Sequence, residues 1–173
     1  MNNAPAKLQV WVGDQAVCIR ITGRASFQSS VDFRTLITTL WQQGHTRFIL
    51  ELTDCQLMDS TFLGVMAGLG LKFSGERNPK GQATLELLNP SERVSDMLDN
   101  LGILHLFKIV RGPYLEPNGL NRLEQPVATP DKKEISRTCL EAHRLLMEIN
   151  PDNVAKFKDV TKFLEEDLKK LEK

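Results

Sequence analysis

From residue 47 to residue 88 the chain reads RFILEL, then STFLGVMAGLGLKF and, after a polar loop ERNPKGQ, ATLELL. The outer two runs have strand length and are rich in branched apolar residues, whereas the middle run is too long for a strand and contains no proline. Strand, helix and strand in succession require a crossover, which in a parallel sheet is right-handed and lays the helix over one sheet face. This unit places the chain in the α/β class.

The flanking residues extend the pattern. Leu8, Val10 and Val12 alternate, Gly13-Asp14 signals a tight turn, and Ala16 to Thr22 alternates again, which predicts a β-hairpin. From Ser29 or Ser30 to Gln43, Val31, Phe33, Leu36, Ile37, Leu40 and Trp41 recur at helical spacing, with Gly44 placed to end the helix. Asn89-Pro90-Ser91-Glu92 opens another helix running to about Leu101, with Pro90 in its first turn, and Leu106 to Val110 reads as a last short strand. The order β-β-α-β-α-β-α-(β) gives an α/β domain over residues 1–112.

Composition shifts after Gly112. Pro113, Pro117, Pro126 and Pro130, with Asn118-Gly119, predict a Pro-rich linker over 113–130. Two amphipathic helices follow in a C-terminal extension over 131–173. The first carries Ile135, Cys139, Ala142, Leu146 and Ile149 on one stripe, with Thr129-Pro130-Asp131 as its start. The second starts at Asn150-Pro151-Asp152 and carries Phe157, Val160, Leu164, Leu168 and Leu171. Helices this short are marginal alone in water, so the stripes need a cover: the chain's own domain, a partner, or a second copy in a homodimer.

With 22 basic and 22 acidic residues, 41% hydrophobic residues and 25% charged, the chain has a core to bury and no net field to draw it to nucleic acid or an anionic membrane. No apolar run approaches a membrane span, so no membrane insertion and a cytoplasmic location are expected. Cys18, Cys55 and Cys139 read as reduced structural thiols, and His45, His105 and His143 stand isolated along the chain, so neither a metal site nor a cofactor is expected.

Ser60 stands where the strand has ended and the helix begins, the place of a helix N-cap. The same place suits a phosphate, which would meet orphan N–H groups and the positive end of the helix dipole, although Asp59 would oppose it by like charge. Gly64 and Gly68 share a helix face and imply close backbone packing, with the sheet as the expected neighbour. GVMAGLG lacks the GxGxxG spacing and no P-loop lysine follows, which argues against a nucleotide site.

The stretch ELTDCQLMDSTFLGVMAGL resembles the signature of the STAS domain, the fold of bacterial anti-sigma factor antagonists, in which a strand ending in an Asp-Leu-Ser-like triplet is followed by Asp-Ser-Ser/Thr-Gly-Leu-Gly. The resemblance extends over about residues 7 to 111 and implies a STAS-like mixed β-sheet with helices packed on it. It implies that Ser60 matches the serine phosphorylated by an anti-sigma kinase, Asp59 the acidic residue before it, and Leu63-Gly64 the start of the helix that docks on that kinase. Phe62 stands where glycine is usual, Glu51 where aspartate is usual, and Ser26, in the first loop, where an acidic residue is often found. The expected partner-binding residues are Asp59, Thr61, Phe62, Leu63, Gly64 and Ser26, with Phe62 either a docking knob or a core residue.

The expected function is therefore a non-enzymatic signalling regulator. It would bind a serine kinase acting as anti-sigma factor, release it on phosphorylation at Ser60, and be reset by a serine phosphatase. The alternative is a non-phosphorylated STAS subunit of a membrane transporter complex. No nucleophile and base come together along the chain, and no histidine lies near Ser60 in sequence, so catalysis is not expected.

Overall fold

The computed structural model describes residues 5–74, 83–113, 121–124 and 130–173. Strands β1 (Lys7–Val12) and β2 (Val17–Ala25) form the expected antiparallel hairpin, its turn closed by Gly13 N–H donating to the Ala16 carbonyl at 3.0 Å. Helix α1 (Phe27–Gln42) starts two residues before the expected Ser29. Ser26 is its N-cap in a reciprocal capping box: its hydroxyl accepts from Gln28 N–H while Ser29 Oγ accepts from Ser26 N–H. Gly44, at a φ of +103°, ends the helix as its position predicts.

Strands β3 (Arg47–Glu51) and β5 (Thr84–Leu88) flank helix α2 (Ser60–Ser74), and β3 pairs parallel with both β2 and β5. The segment read as a polar bend contains a strand of its own, β4 (Cys55–Met58), which pairs parallel with the second half of β2. Strand β2 thus holds β3 with Val17–Arg20 and β4 with Gly23–Ala25, and the register shifts at Gly23, whose φ of +82° suits glycine. The bend was unreadable as a strand because only Cys55 and Met58 of its four side chains are buried.

Helix α3 (Glu92–Asn100) is capped by Ser91, whose Oγ accepts from Val94 N–H at 3.1 Å; Pro90 precedes the cap instead of occupying the first turn. A 3₁₀ turn at Leu104–Leu106 leads to β6 (Lys108–Val110), parallel to β5. Asn89 is matched twice to Gly112, donating to its carbonyl at 2.7 Å and accepting from its N–H at 3.0 Å, which fastens this end of the sheet.

Within the stretch expected as a linker, Asn121–Glu124 forms β7, antiparallel to β1, so the sheet order is β6-β5-β3-β2-β1-β7 with β4 beside β2. Most of the expected linker, Asn118-Gly119 and the Thr129 cap included, lies outside the described residues, as does the loop over 75–82. The extension forms α4 (Lys132–Ile149) and α5 (Asn153–Leu171).

The core joins strand residues Val10, Ile19, Ile21, Phe48, Leu50 and Leu87 to helix residues Phe33, Ile37, Phe62, Met66 and Phe73, all buried. The aromatic rings interlock: Phe33 on Phe62 at 4.7 Å and Phe48 on Phe73 at 5.4 Å. Helix α2 buries nearly its whole circumference, which a helix apolar on all sides requires. Its outer side is covered by α4, which also touches α1, and α5 packs on α4, so the hairpin forms a further layer over the helices.

Candidate functional site

The chain passes from β4 into α2 at Asp59. Ser60 is the first residue of α2, and the N-cap is Asp59: its Oδ1 accepts from Phe62 N–H at 2.8 Å, and its main-chain carbonyl from Leu63 N–H at 3.0 Å. Its second oxygen, Oδ2, accepts from Phe27 N–H at 2.7 Å, in the first turn of α1. One carboxylate thus satisfies orphan donors at two helix starts and sits where both dipoles favour negative charge. The capping role that position suggested for Ser60 belongs to its neighbour.

The Ser60 hydroxyl is therefore available for another partner. His143 Nε2, on α4, lies 2.8 Å from Ser60 Oγ, and His143 Nδ1 lies 2.6 Å from the Cys139 carbonyl one turn back. A carbonyl only accepts, so Nδ1 carries the proton; in the neutral ring Nε2 is then the acceptor, and Ser60 Oγ–H donates to it. Burial lowers the His143 pKa from its ordinary 6.5, against the Cys139 carbonyl and the Asp59 charge, which both raise it. The Phe157 ring of α5 lies against the imidazole with centroids 4.9 Å apart.

Beside this pair, Thr61 Oγ1 donates to Cys139 Sγ at 3.4 Å. Farther along, the two glycines of α2 face α4 and not the sheet. A Cβ on Gly64 would stand 2.7 Å from both the Cβ and the carbonyl oxygen of Ala142, and one on Gly68 3.2 Å from Leu145 Cδ2. The successive pairs Thr61–Cys139, Gly64–Ala142 and Gly68–Leu145 show α4 running alongside α2 in the same direction. At its edge, Arg34 of α1 donates to Thr138 Oγ1 at 3.0 Å and pairs with Glu141 at 3.2 Å.

Of the residues expected to face a partner, Phe62 and Leu63 are fully buried, and Phe62 is locked against Phe33. Thr61 and Gly64 are buried where α4 covers α2; Ser26 and Asp59 are half-buried and serve as helix caps. Glu51 is buried, ion-paired with Arg20 at 3.3 Å and hydrogen-bonded to Thr53. Sequence reading missed His143, because the expectation that no histidine lies near Ser60 held only along the chain. Its signal was its place among Cys139, Ala142 and Leu146 on the apolar side of α4. Cys18, Cys55 and Cys139 are free thiols, and burial pushes Cys55 up to about 11.

The family model of the STAS domain matches residues 7–112, from the first strand to just past β6. The chain belongs to the STAS-domain family. The fold is shared with solved structures of low sequence identity. The anti-sigma factor antagonist SpoIIAA in its unphosphorylated form is 22% identical, with a TM-score of 0.51, over 61% of this chain and 88% of that one. An anti-sigma factor antagonist from Mycobacterium paratuberculosis is 12% identical, with a TM-score of 0.51, over 63% and 87%. The protein TM1081 is 20% identical, with a TM-score of 0.52, over 59% and 78%. No curated protein matches the chain. The STAS match ends at 112, so the hairpin that supplies His143 lies outside it.

Proposed function

We propose that this STAS protein is a non-enzymatic signalling regulator of the anti-sigma factor antagonist type. It binds a serine kinase acting as anti-sigma factor through the Ser60 end of α2, lets go when Ser60 is phosphorylated, and is reset by a serine phosphatase. The carrying observation is that Asp59, not Ser60, caps α2, which leaves the Ser60 hydroxyl free of any duty in holding the helix. Ser60 can thus gain a phosphate without loss of the cap, and close to two negative charges at that spot would alter what the surface accepts.

The Ser60–His143 pair has the distances of a base-activated nucleophile, yet its surroundings favour a regulator. Acyl-transfer chemistry needs donors preorganised for an oxyanion, and two helix-start donors beside the serine, Phe62 N–H and Phe27 N–H, are already taken by Asp59. The Ser60 side of α2 faces a packed helix. Among the described residues no helix is long and apolar enough to cross a membrane, which agrees with work in the cytoplasm.

Native chain, Ser60→Ala and Ser60→Asp, used as baits in lysate of the organism that encodes the protein, test the reading. A serine kinase held by the first two and lost by the third is the expected result. A membrane transporter held equally by all three would overturn it in favour of an assembly role.

A further inference from the structure

We infer that the α4–α5 hairpin is a built-in occupant of the Ser60 face, an autoinhibitory lid that engages the serine hydroxyl and covers the adjoining turn of α2 when docked and is expelled when Ser60 carries a phosphate. The inference rests on the reading of Ser60 as a phosphorylated docking site.

The seam has two unlike ends. Toward Gly64 and Gly68 it is a close fit of small and apolar groups, with Ala142 and Leu145 against the two glycines. Toward Ser60 it is polar: Ser60 with His143, Thr61 with Cys139, Thr138 with Arg34. The apolar part is continuous with the core through Ala142 and Leu146, so the end at which a change can loosen the seam is the polar one at Ser60, polar contacts being usual where parts of one chain move apart. The hairpin also has contacts of its own that survive lifting, among them Arg144 with Glu165 at 2.5 Å and Asn153 Nδ2 with the Leu146 carbonyl at 2.8 Å. Its turn is tied to the domain through Asn153 to the Leu101 carbonyl and Lys156 to the Asn100 carbonyl, so the lid stays attached near α3.

A phosphate on Ser60 Oγ takes away the hydroxyl proton that bonds His143 Nε2 at 2.8 Å and adds bulk at a contact already at hydrogen-bond distance. Its oxygens would stand beside the Asp59 carboxylate, a like charge that the two helix starts hold in place. Phosphate therefore favours the lifted state, and the two states differ in affinity for anything that reads α2. In the unmodified chain the kinase's apparent affinity is its intrinsic affinity multiplied by the fraction lifted; once Ser60 carries phosphate, the added charge and not the lid is what makes the kinase let go. The partner that fits is a helix with a small residue at the Gly64 crossing, since even an alanine methyl fills the gap there.

Hydrogen exchange of the full chain decides the matter, comparing unmodified protein, protein with phosphoserine installed at position 60, and Ala142→Arg, which changes the lid and not α2. Lifting exposes helices that are marginal on their own, so α4 amides are expected to exchange about tenfold faster or more in the last two, with β3 and β5 unchanged. If Ala142→Arg disturbs β3 and β5, Leu145→Asp at the seam edge replaces it. Unchanged or slower α4 exchange with phosphoserine would overturn the lid. Occupancy of Ser60 by phosphate in the native organism is read alongside, with about a tenfold rise expected for the lifted variant. Phosphate found in neither chain would sink the phosphorylation reading, while the exchange result still judges the lid.

Discussion

Gly64 of α2 and Ala142 of α4 meet so closely that a methyl group on the glycine would lie 2.7 Å from the alanine's carbonyl oxygen. Backbone cannot yield as a side chain can, so Gly64→Ala is expected to destabilise the docked hairpin by about 1–3 kcal/mol. Gly68→Ala meets only the flexible end of Leu145 at 3.2 Å and should change stability far less. Thermal unfolding of the two variants side by side checks this; equal effects would contradict the crossing geometry.

Asp59 holds the first turns of both α1 and α2 with separate oxygens. Removing both acceptors in Asp59→Ala should lower stability by about 1–2 kcal/mol or more, and Asp59→Asn, which retains a single oxygen acceptor, should fall between. Denaturant midpoints for the three chains give the ranking. A neutral Asp59→Ala would mean that water replaces the carboxylate without loss.

Acid should loosen the hairpin through His143. Burial lowers its pKa in the fold below the ordinary 6.5, so the folded chain binds fewer protons there than the unfolded one. Its contribution is fully present above 6.5 and is lost as pH falls through the lowered folded value. The difference in unfolding free energy between native chain and His143→Gln should therefore shrink from pH 7.5 to 5.5. A pH-independent difference would exclude His143 as the titrating group.

Phe62→Ala should act as a core truncation. The ring is fully buried and packed on Phe33 at 4.7 Å, so a loss of about 3–5 kcal/mol is expected. Urea titration reads it. A stable, well-folded Phe62→Ala chain would return the ring to the role of a docking knob.

The elements of the domain were legible because periodicity reports burial. The βαβ order, the hairpin at Gly13-Asp14 and the helix end at Gly44 all follow from local pattern and turn chemistry, and the Asp-Ser-Thr stretch located the family. Strand β4 was hidden because its short, half-exposed segment reads as a bend. The glycine face of α2 was assigned to the sheet because one-dimensional spacing says that a close neighbour exists and not which one.

What the amino-acid order determined by itself is the set of elements, the parallel crossover and the serine at the mouth of α2, all set by interactions within a few residues or by burial patterns. Only tertiary structure decided what surrounds that serine. Ser60 and His143 stand 83 positions apart, and the chain between them carries no local signal of their meeting. Their contact arises because α2 is apolar on every side and α4 brings the small residue that lets two backbones touch. From the same packing, Asp59 became the cap and Ser60 became a hydrogen-bond donor to the extension.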